Sequence, residues 1–428
     1  MDRRGFLSNL AFATGAAFVD GETIKSIEGF SHKGGLSILQ GFTDETTTQF
    51  TVDVPKCLDV HYHVFDSVTG KTFDPIKIET NSYGLSLYKV QKIVFKDLYL
   101  NNGFELIVQD DRKNVIDHRQ FKTLDTSRTN IRIAILSCML DLNPHRNEMW
   151  KLVDAAEPEL LFMLGDNVYG DVYGKIHGPR FLWMRYLTTR RSLKLYRRKK
   201  LIPAIAIWDD HDFGKNNSSG FYKHKEKSLQ IFNSFYAQLP ISPNYHRGPG
   251  VSSSFTAFGH KFIFLDSRYW RKMPNSFDKQ GYLGDEQMAW LEGELQHNQN
   301  RTWIFQGSQF FGHFKSTSGT YESLSPNELA HFSKIVKAHD KETYFGSGDI
   351  HFTEVTRAPR SWLGFDTVEI TSSSLHSIPR LKLESRPERI VGAAKENFVV
   401  LDITPDGSLL ATGIGRGKKK HFEFDFSI

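Results

Sequence analysis

Leu201-Ile202-Pro203-Ala204-Ile205-Ala206-Ile207 runs directly into Trp208-Asp209-Asp210-His211-Asp212. The apolar half reads as a buried strand, and the polar half places three carboxylates and an imidazole at its C-terminal end. Adjacent acids repel one another, and a buried charge is costly unless a partner of opposite sign is present. A multivalent cation is the simplest such partner, so the junction reads as a metal site at the mouth of a sheet.

The same pattern recurs along the chain. Ile131–Leu136 leads into Ser137-Cys138, and Leu160–Leu164 into Gly165-Asp166-Asn167-Val168-Tyr169. Phe262–Leu265 leads into Asp266-Ser267-Arg268, Trp303–Phe305 into Gln306-Gly307-Ser308, and Thr343–Phe345 into Gly346-Ser347-Gly348-Asp349-Ile350-His351. Val368–Ile370 leads into Thr371-Ser372-Ser373-Ser374-Leu375-His376. One such run is ordinary. A succession of them, most followed by residues with ligand atoms, points to one site assembled from many strand ends.

The residue types narrow the chemistry. Asp166 has two oxygens and can bridge two cations. Tyr169 offers a phenolate, a hard donor suited to trivalent iron, and Cys138 a thiolate, which favours transition metals over calcium. Asp349 and His351 stand two apart, so strand alternation directs both to one face and toward one dinuclear centre. His211, flanked by Asp210 and Asp212, has the setting of a proton donor held in one tautomer by a carboxylate.

Bulk properties bound the rest. The 428 residues allow two or three domains, and 24% charged with 39% hydrophobic residues is an ordinary globular balance. No apolar stretch approaches the roughly 18–20 residues that span a bilayer. The net charge of +5 is modest, but Lys175 to Lys200 is rich in Lys and Arg without a single acid. That run reads as a solvated helix face, with steering of an anionic substrate as the alternative. Cys57 and Cys138 are the chain's two cysteines, too few for a disulfide framework. No nucleic-acid-binding module is evident.

Three regions follow. Residues 1–20, with Arg3-Arg4-Gly5-Phe6-Leu7 before an Ala-rich stretch, resemble a twin-arginine export signal, which implies a periplasmic or extracellular protein. A chance Arg pair in a cytoplasmic protein is the alternative. Residues 21–126 carry short alternating segments such as Thr46–Val54, Leu58–Phe65 and Phe104–Val108, the pattern of an all-β Ig/fibronectin-like sandwich. His61 and His63 read there as alternating exposed strand positions. Residues 127–428 alternate strands with helices expected over 148–156, 181–199, 225–238, 284–296 and 327–338, an α/β domain.

Taken together, Cys138, Gly165-Asp166-x-x-Tyr169, Trp208-Asp209-Asp210-His211-Asp212-Phe213-Gly214-x-Asn216 and Gly348-Asp349-x-His351 resemble alkaline phosphatase D (PhoD-type) proteins. Those are members of the calcineurin-like metallophosphoesterase superfamily. Leu265-Asp266-Ser267-Arg268-Tyr269-Trp270-Arg271 and Thr371-Ser372-Ser373-Ser374-Leu375-His376 extend the likeness in family order.

The resemblance implies a four-layer core of two sheets flanked by helices, and a phosphoester hydrolase with a dinuclear or larger centre of Fe(3+) and Ca(2+). Zinc, manganese or magnesium are the alternatives for the second cation. It implies Cys138, Asp166, Tyr169 and His351 on the iron, with Asp166 bridging to a cation held by Asp210, Asn216 and Asp349. The choice among Asp209, Asp210 and Asn216 stays open at this point. A bridging hydroxide would attack phosphorus, His211 would protonate the leaving oxygen, Asp212 would orient His211, and Arg268 would stabilise phosphoryl charge. Gly170-Asp171 departs from the acidic-aromatic pair frequent after this Tyr in longer relatives. His376 stands outside the implied ligand set. The substrate would be a small phosphate mono- or diester. A phosphodiesterase or phospholipase D-like enzyme of lipid headgroups or envelope polymers is the alternative. A catalytically silent binding module is the alternative of another class.

Overall fold

A computed structural model describes residues 35–100, 103–172, 177–272, 281–312, 320–380, 383, 385–417 and 419–426. The expected export segment, 1–20, lies outside the described residues.

Two sheets pack face to face in the larger part of the chain. One has six strands in the order Ala204–Ile207, Leu160–Leu164, Ile131–Leu136, Asn397–Ile403, Leu409–Gly415 and Lys419–Asp425. The other has eight, in the order Tyr245–Arg247, Ser253–Ala257, His260–Phe264, Arg301–Phe305, Thr343–Ser347, Val368–Thr371, Thr353–Arg357 and Arg389–Ala393. Phe162 of the first sheet meets Phe262, Phe264 and Phe305 of the second edge to face, with ring centroids 4.9–5.4 Å apart, and these rings anchor the joint core.

Each sheet has helices on its outer face. Trp150 and Val153 of the helix Arg146–Ala155, and Phe232 and Phe235 of the helix Lys225–Phe235, join the core of the six-stranded sheet. Met288, Leu291 and Leu295 of Asp285–Gln296, with Leu329, Phe332 and Val336 of Pro326–His339, cover Ile263, Ile304 and Phe345 of the eight-stranded sheet. The result is the expected four layers, helix, sheet, sheet, helix.

Ahead of them stand two antiparallel four-stranded sheets. One runs Ser37–Thr43, Thr48–Pro55, Tyr88–Phe95, Lys77–Ser82; the other runs Thr72–Phe73, Val60–Asp66, Phe104–Asp110, Val115–Phe121. Phe50, Val52, Ile93, Phe104 and Phe121 fill the space between them. His61 is exposed and His63 half-buried on their strand.

The basic run differs from its sequence reading. The expected helix over 181–199 is Pro179–Ser192, and the chain turns extended at Leu193 before a short 3-10 turn, Lys194–Arg197. Nor is this a solvated face throughout: Arg185 and Arg190 are 2% and 1% exposed. Arg185 pairs with Asp141, and Arg190 Nε lies 3.0 Å from Asp53 Oδ1 on the strand Thr48–Pro55. Arg190 also donates to the carbonyls of Thr51 and Phe235, which ties the N-terminal sheets to the helical layer. Two of the run's arginines are thus committed to internal joints, while Lys194, Arg197, Lys199 and Lys200 stay exposed.

The functional strands run parallel. Ile131–Leu136, Leu160–Leu164 and Ala204–Ile207 are parallel neighbours, as are His260–Phe264, Arg301–Phe305, Thr343–Ser347 and Val368–Thr371. Their C-terminal ends therefore open on a common edge, where ligands bind in open α/β sheets.

Candidate metal centre

Cys138, Asp166, Asp349 and His351 follow three of these strand ends, and all four adopt left-handed backbone with φ of 55°, 51°, 71° and 58°. Non-glycine residues in this region cost of order 1–3 kcal/mol where the conformation is strained, and such residues cluster at functional sites. The turn that presents Asp166 also needs Gly165: its φ is +90°, and a Cβ there would lie 2.6 Å from Asp209 Cβ.

Among the described residues, three groups bring their ligand atoms within 4.8 Å of one another: Cys138, Asp166 and His351; Asp166, Asp210 and His211; and Asp209, Asp210 and Asp349. Asp166 belongs to the first two groups and Asp210 to the last two. Cys138 Sγ lies 3.6 Å from Asp166 Oδ2 and accepts from Ser373 Oγ at 3.2 Å. His351 Nδ1 is 2.9 Å from the Ile378 carbonyl, which can only accept, so the proton is on Nδ1 and Nε2 is left as an acceptor, 3.2 Å from Ser377 Oγ. Tyr169 Oη is 3.3 Å from that Nε2.

Electrostatics indicate what this cluster lacks. Burial drives Asp166 well above the usual carboxylate range, and the Asp210 and Asp209 charges add to it while His211 opposes them. Burial, then repulsion from Asp209 and Asp210, pushes Asp349 to about 7. Burial, with the Asp166 charge, raises the Cys138 thiol and, with Cys138 and Asp166, the Tyr169 phenol. Asp349 Oδ2 is buried without a hydrogen-bond partner among the described residues. Crowded acids, a thiol, a phenol and an orphaned carboxylate oxygen fit a multivalent cation, which turns each of these penalties into a bond.

The remaining expected residues are placed unevenly. His211 is on the rim. Burial pulls its pKa down, but the carboxylates of Asp166, Asp210 and Asp171 outweigh this and hold it up at about 10. Its orienting partner is not Asp212. His211 Nδ1 donates to Asp171 Oδ1 at 2.6 Å. Asp212 is fully buried and accepts the N–H groups of Val168, Asn167 and Asp209, clamping the Asp166 turn to the Asp209 turn. Asn216 is exposed and meets the cluster through its backbone N–H, donated to Asp171 Oδ2 at 2.8 Å; the ligand role expected of its side chain has no such support. Arg268, expected at the phosphoryl group, is 0% exposed and forks onto Asp209. His376 is consumed on both nitrogens: Nδ1 donates to the Leu140 carbonyl at 3.0 Å, and Nε2 accepts from Trp150 Nε1 at 3.2 Å.

Asp171 is the residue the patterns missed, and with it the pairing of Asp209, one of the three ligand alternatives, with Arg268. For Asp171 the signal was present as the Gly170-Asp171 departure.

No curated protein matches the chain. Among solved structures, it is similar to purple acid phosphatase PPD1 from yellow lupin (Lupinus luteus) seeds, with a TM-score of 0.66 at 13% identity over 91% of this chain and 73% of that one. At that identity the likeness speaks to the fold, a metallophosphoesterase architecture. A family model is more specific: residues 133–402, more than half of the chain and the stretch that carries nearly every group described above, match the PhoD-like phosphatases. The chain belongs to the PhoD-like phosphatase family.

Proposed function

We propose that this metal-dependent phosphoesterase hydrolyses a small phosphate ester at a dinuclear centre, with Cys138, Asp166, Tyr169 and His351 on an iron-type cation and Asp166, Asp210 and Asp349 on a harder one of the calcium kind. The observation that carries this reading is Asp166, whose carboxylate is shared by two ligand groups. The soft thiolate stands on one side of it and oxygen donors on the other, which sorts the two positions by chemistry. All of this machinery falls within the expected catalytic domain, 127–428, and Arg190 joins it to the strands Ser37–Thr43 and Thr48–Pro55 of the N-terminal sheets.

When bound, the cations acidify water and withdraw charge from phosphoryl oxygens. The chain's own residues supply the rest. His211 stands at the rim, held by Asp171 and flanked by Asp166 and Asp210, and it donates a proton to the leaving oxygen. Asp212 keeps the two acidic turns in register. Ser373 holds Cys138 through its hydroxyl.

The twin-arginine start supports export after folding, so that the metals are loaded before transport. No helix among the described residues is long and apolar enough to cross a membrane.

The test is turnover of aryl phosphate mono- and diesters by purified protein, alongside elemental analysis. The expected result is hydrolysis by protein containing iron. Active protein holding only zinc would overturn the iron assignment, and fully metallated protein inert toward every ester would overturn the hydrolase reading.

A further inference from the structure

The strand Val368–Thr371 runs out into Ser372-Ser373-Ser374-Leu375-His376-Ser377, and this run lies against the cysteine side of the centre. Ser372 Oγ donates to the Ile135 carbonyl at 2.6 Å and the Leu375 N–H to the Ser137 carbonyl at 2.9 Å, which pins the run along the end of the strand Ile131–Leu136. His376, bonded through both ring nitrogens, pins it again further on. Ser374 Oγ closes the turn on the Ser377 carbonyl at 3.2 Å. The two hydroxyls that remain, on Ser373 and Ser377, are 0% and 1% exposed.

Ser373 Oγ accepts the His351 N–H at 2.9 Å and donates to Cys138 Sγ at 3.2 Å, so its one proton goes to the sulfur. Ser377 Oγ stands 3.2 Å from His351 Nε2 and also hydrogen-bonds the Tyr169 phenol. Nε2 is unprotonated, because the Ile378 carbonyl holds the ring proton on Nδ1. A cation on Nε2 takes that lone pair. Of the two partners of the Ser377 hydroxyl, the Tyr169 oxygen then remains to accept its proton, and a buried hydroxyl seldom goes unpaired. Around the Tyr169 phenol, burial and then the Cys138 and Asp166 charges oppose ionisation, while the Ser377 hydroxyl favours it.

We infer that this one run of hydroxyls sets how much charge two anionic ligands give to the cation they share: Ser377 donates to the Tyr169 phenolate, and Ser373 to the Cys138 thiolate. A hydrogen bond to a donor atom lowers the energy of the lone pair it offers a metal, and such bonds are among the levers by which a protein tunes metal electronics. Both serines are positioning residues that act through a ligand. The inference rests on the iron reading proposed above and adds to it the groups that tune that iron.

The phenolate-to-iron absorption band tests it. In purified full-length protein loaded with ferric iron, Ser377→Ala should keep the visible band but move it to longer wavelength, because a phenolate relieved of its hydrogen bond gives up an electron more easily. Ser377→Thr keeps the hydroxyl and should stay at the wild-type wavelength. Ser373→Ala should leave the phenolate vibrations of the resonance Raman spectrum where they are. A second measurement needs no variant: in the wild type the phenolate C–O stretch should shift on transfer to heavy water, since a deuteron replaces the Ser377 proton. That measurement decides the matter if Ser377→Ala fails to hold iron. A band unmoved in Ser377→Ala, or moved equally in Ser377→Thr, overturns the inference and leaves the iron site standing. So does a phenolate vibration displaced by Ser373→Ala, or a stretch indifferent to heavy water. Iron-loaded wild type with no band at all overturns the Tyr169 ligation proposed above, and the inference with it, a result distinct from a band that stays in place.

Discussion

His211 Nδ1 donates to Asp171 Oδ1 across 2.6 Å, and Asp171 Oδ2 accepts the Asn216 N–H at 2.8 Å, so one carboxylate fixes both the ring and the loop that follows it. This holds the ring in the tautomer and orientation a proton donor requires.

The leaving group should report this arrangement. His211→Ala should slow esters with poor leaving groups by on the order of 10²–10⁴-fold, since an alkoxide needs its proton, and should spare activated aryl esters. Asp171→Asn should show the same selectivity with a smaller loss, about 10–100-fold, as removal of a histidine's orienting partner does elsewhere. Rates across a leaving-group series check both. If His211→Ala instead loses metal and all esters slow equally, His211 is a ligand. His376 could not then serve as the acid, because both its nitrogens are committed inside the fold.

Tyr169 should colour the protein. A phenolate on ferric iron absorbs visible light, and Tyr169 Oη stands 3.3 Å from the unprotonated Nε2 of His351, which groups with the Cys138 and Asp166 ligand atoms. Tyr169→Phe should abolish the band in an absorption spectrum while part of the turnover survives. A wild-type protein that is active, iron-loaded and colourless contradicts the ligation of Tyr169.

Asp166→Asn should do more damage than any single change outside the ligand set. Its carboxylate belongs to two ligand groups, so its loss removes both cations' common anchor. Elemental analysis should show metal lost along with rate. Full metal content and near-normal turnover would disprove the bridging role.

The apolar strands and their polar ends were legible because burial on both faces leaves continuous apolar runs, and a parallel sheet puts the sequence that follows each run on one edge. Cys138, Asp166, Asp210, Asp349 and His351, whose ligand atoms the fold brings together, were legible this way, as was Tyr169 beside His351. The partners of His211 and Arg268 were not. Asp212 is next to His211 in the chain, but successive helical residues point about 100° apart, so sequence adjacency separates their side chains. Asp171 reaches the ring from another strand end, forty residues back. Asp209 and Asp210 are likewise neighbours whose fates diverge, one bound by Arg268 and one open. Composition alone cannot rank them.

Arg190 illustrates the same limit in the helical layer, and it carries a stability prediction. Arg190→Met leaves Asp53 buried without its partner, which typically costs about 3–5 kcal/mol. Burial already raises the Asp53 pKa against the pull of Arg190, so losing Arg190 raises it further. A carboxyl whose folded pKa is raised takes up its proton as pH falls, so the deficit relative to wild type should shrink on acidification. Asp53→Asn in the Arg190→Met background should recover part of the loss at neutral pH. Urea titrations of the three proteins at two pH values decide this. A deficit independent of pH assigns the effect to lost packing alone.

His260 should make the fold sensitive to mild acid. It opens the strand His260–Phe264, 2% exposed, and burial, helped by the Arg301 charge, lowers its pKa from 6.5 to about 4. The folded chain therefore keeps this ring neutral where the unfolded chain protonates it. Its contribution is fully present above pH 6.5 and is lost as pH falls through about 4. A separation of roughly 2.5 units corresponds to about 3 kcal/mol. His376, lowered to about 4 by burial as well, acts in the same direction. His260→Phe should thus flatten the decline between pH 6.5 and pH 4 by about half of the two histidines' joint share, whatever it does to stability at pH 8. Chemical denaturation across that range measures the slope, and an unchanged slope in the variant would mean that His260 titrates alike in the folded and unfolded protein.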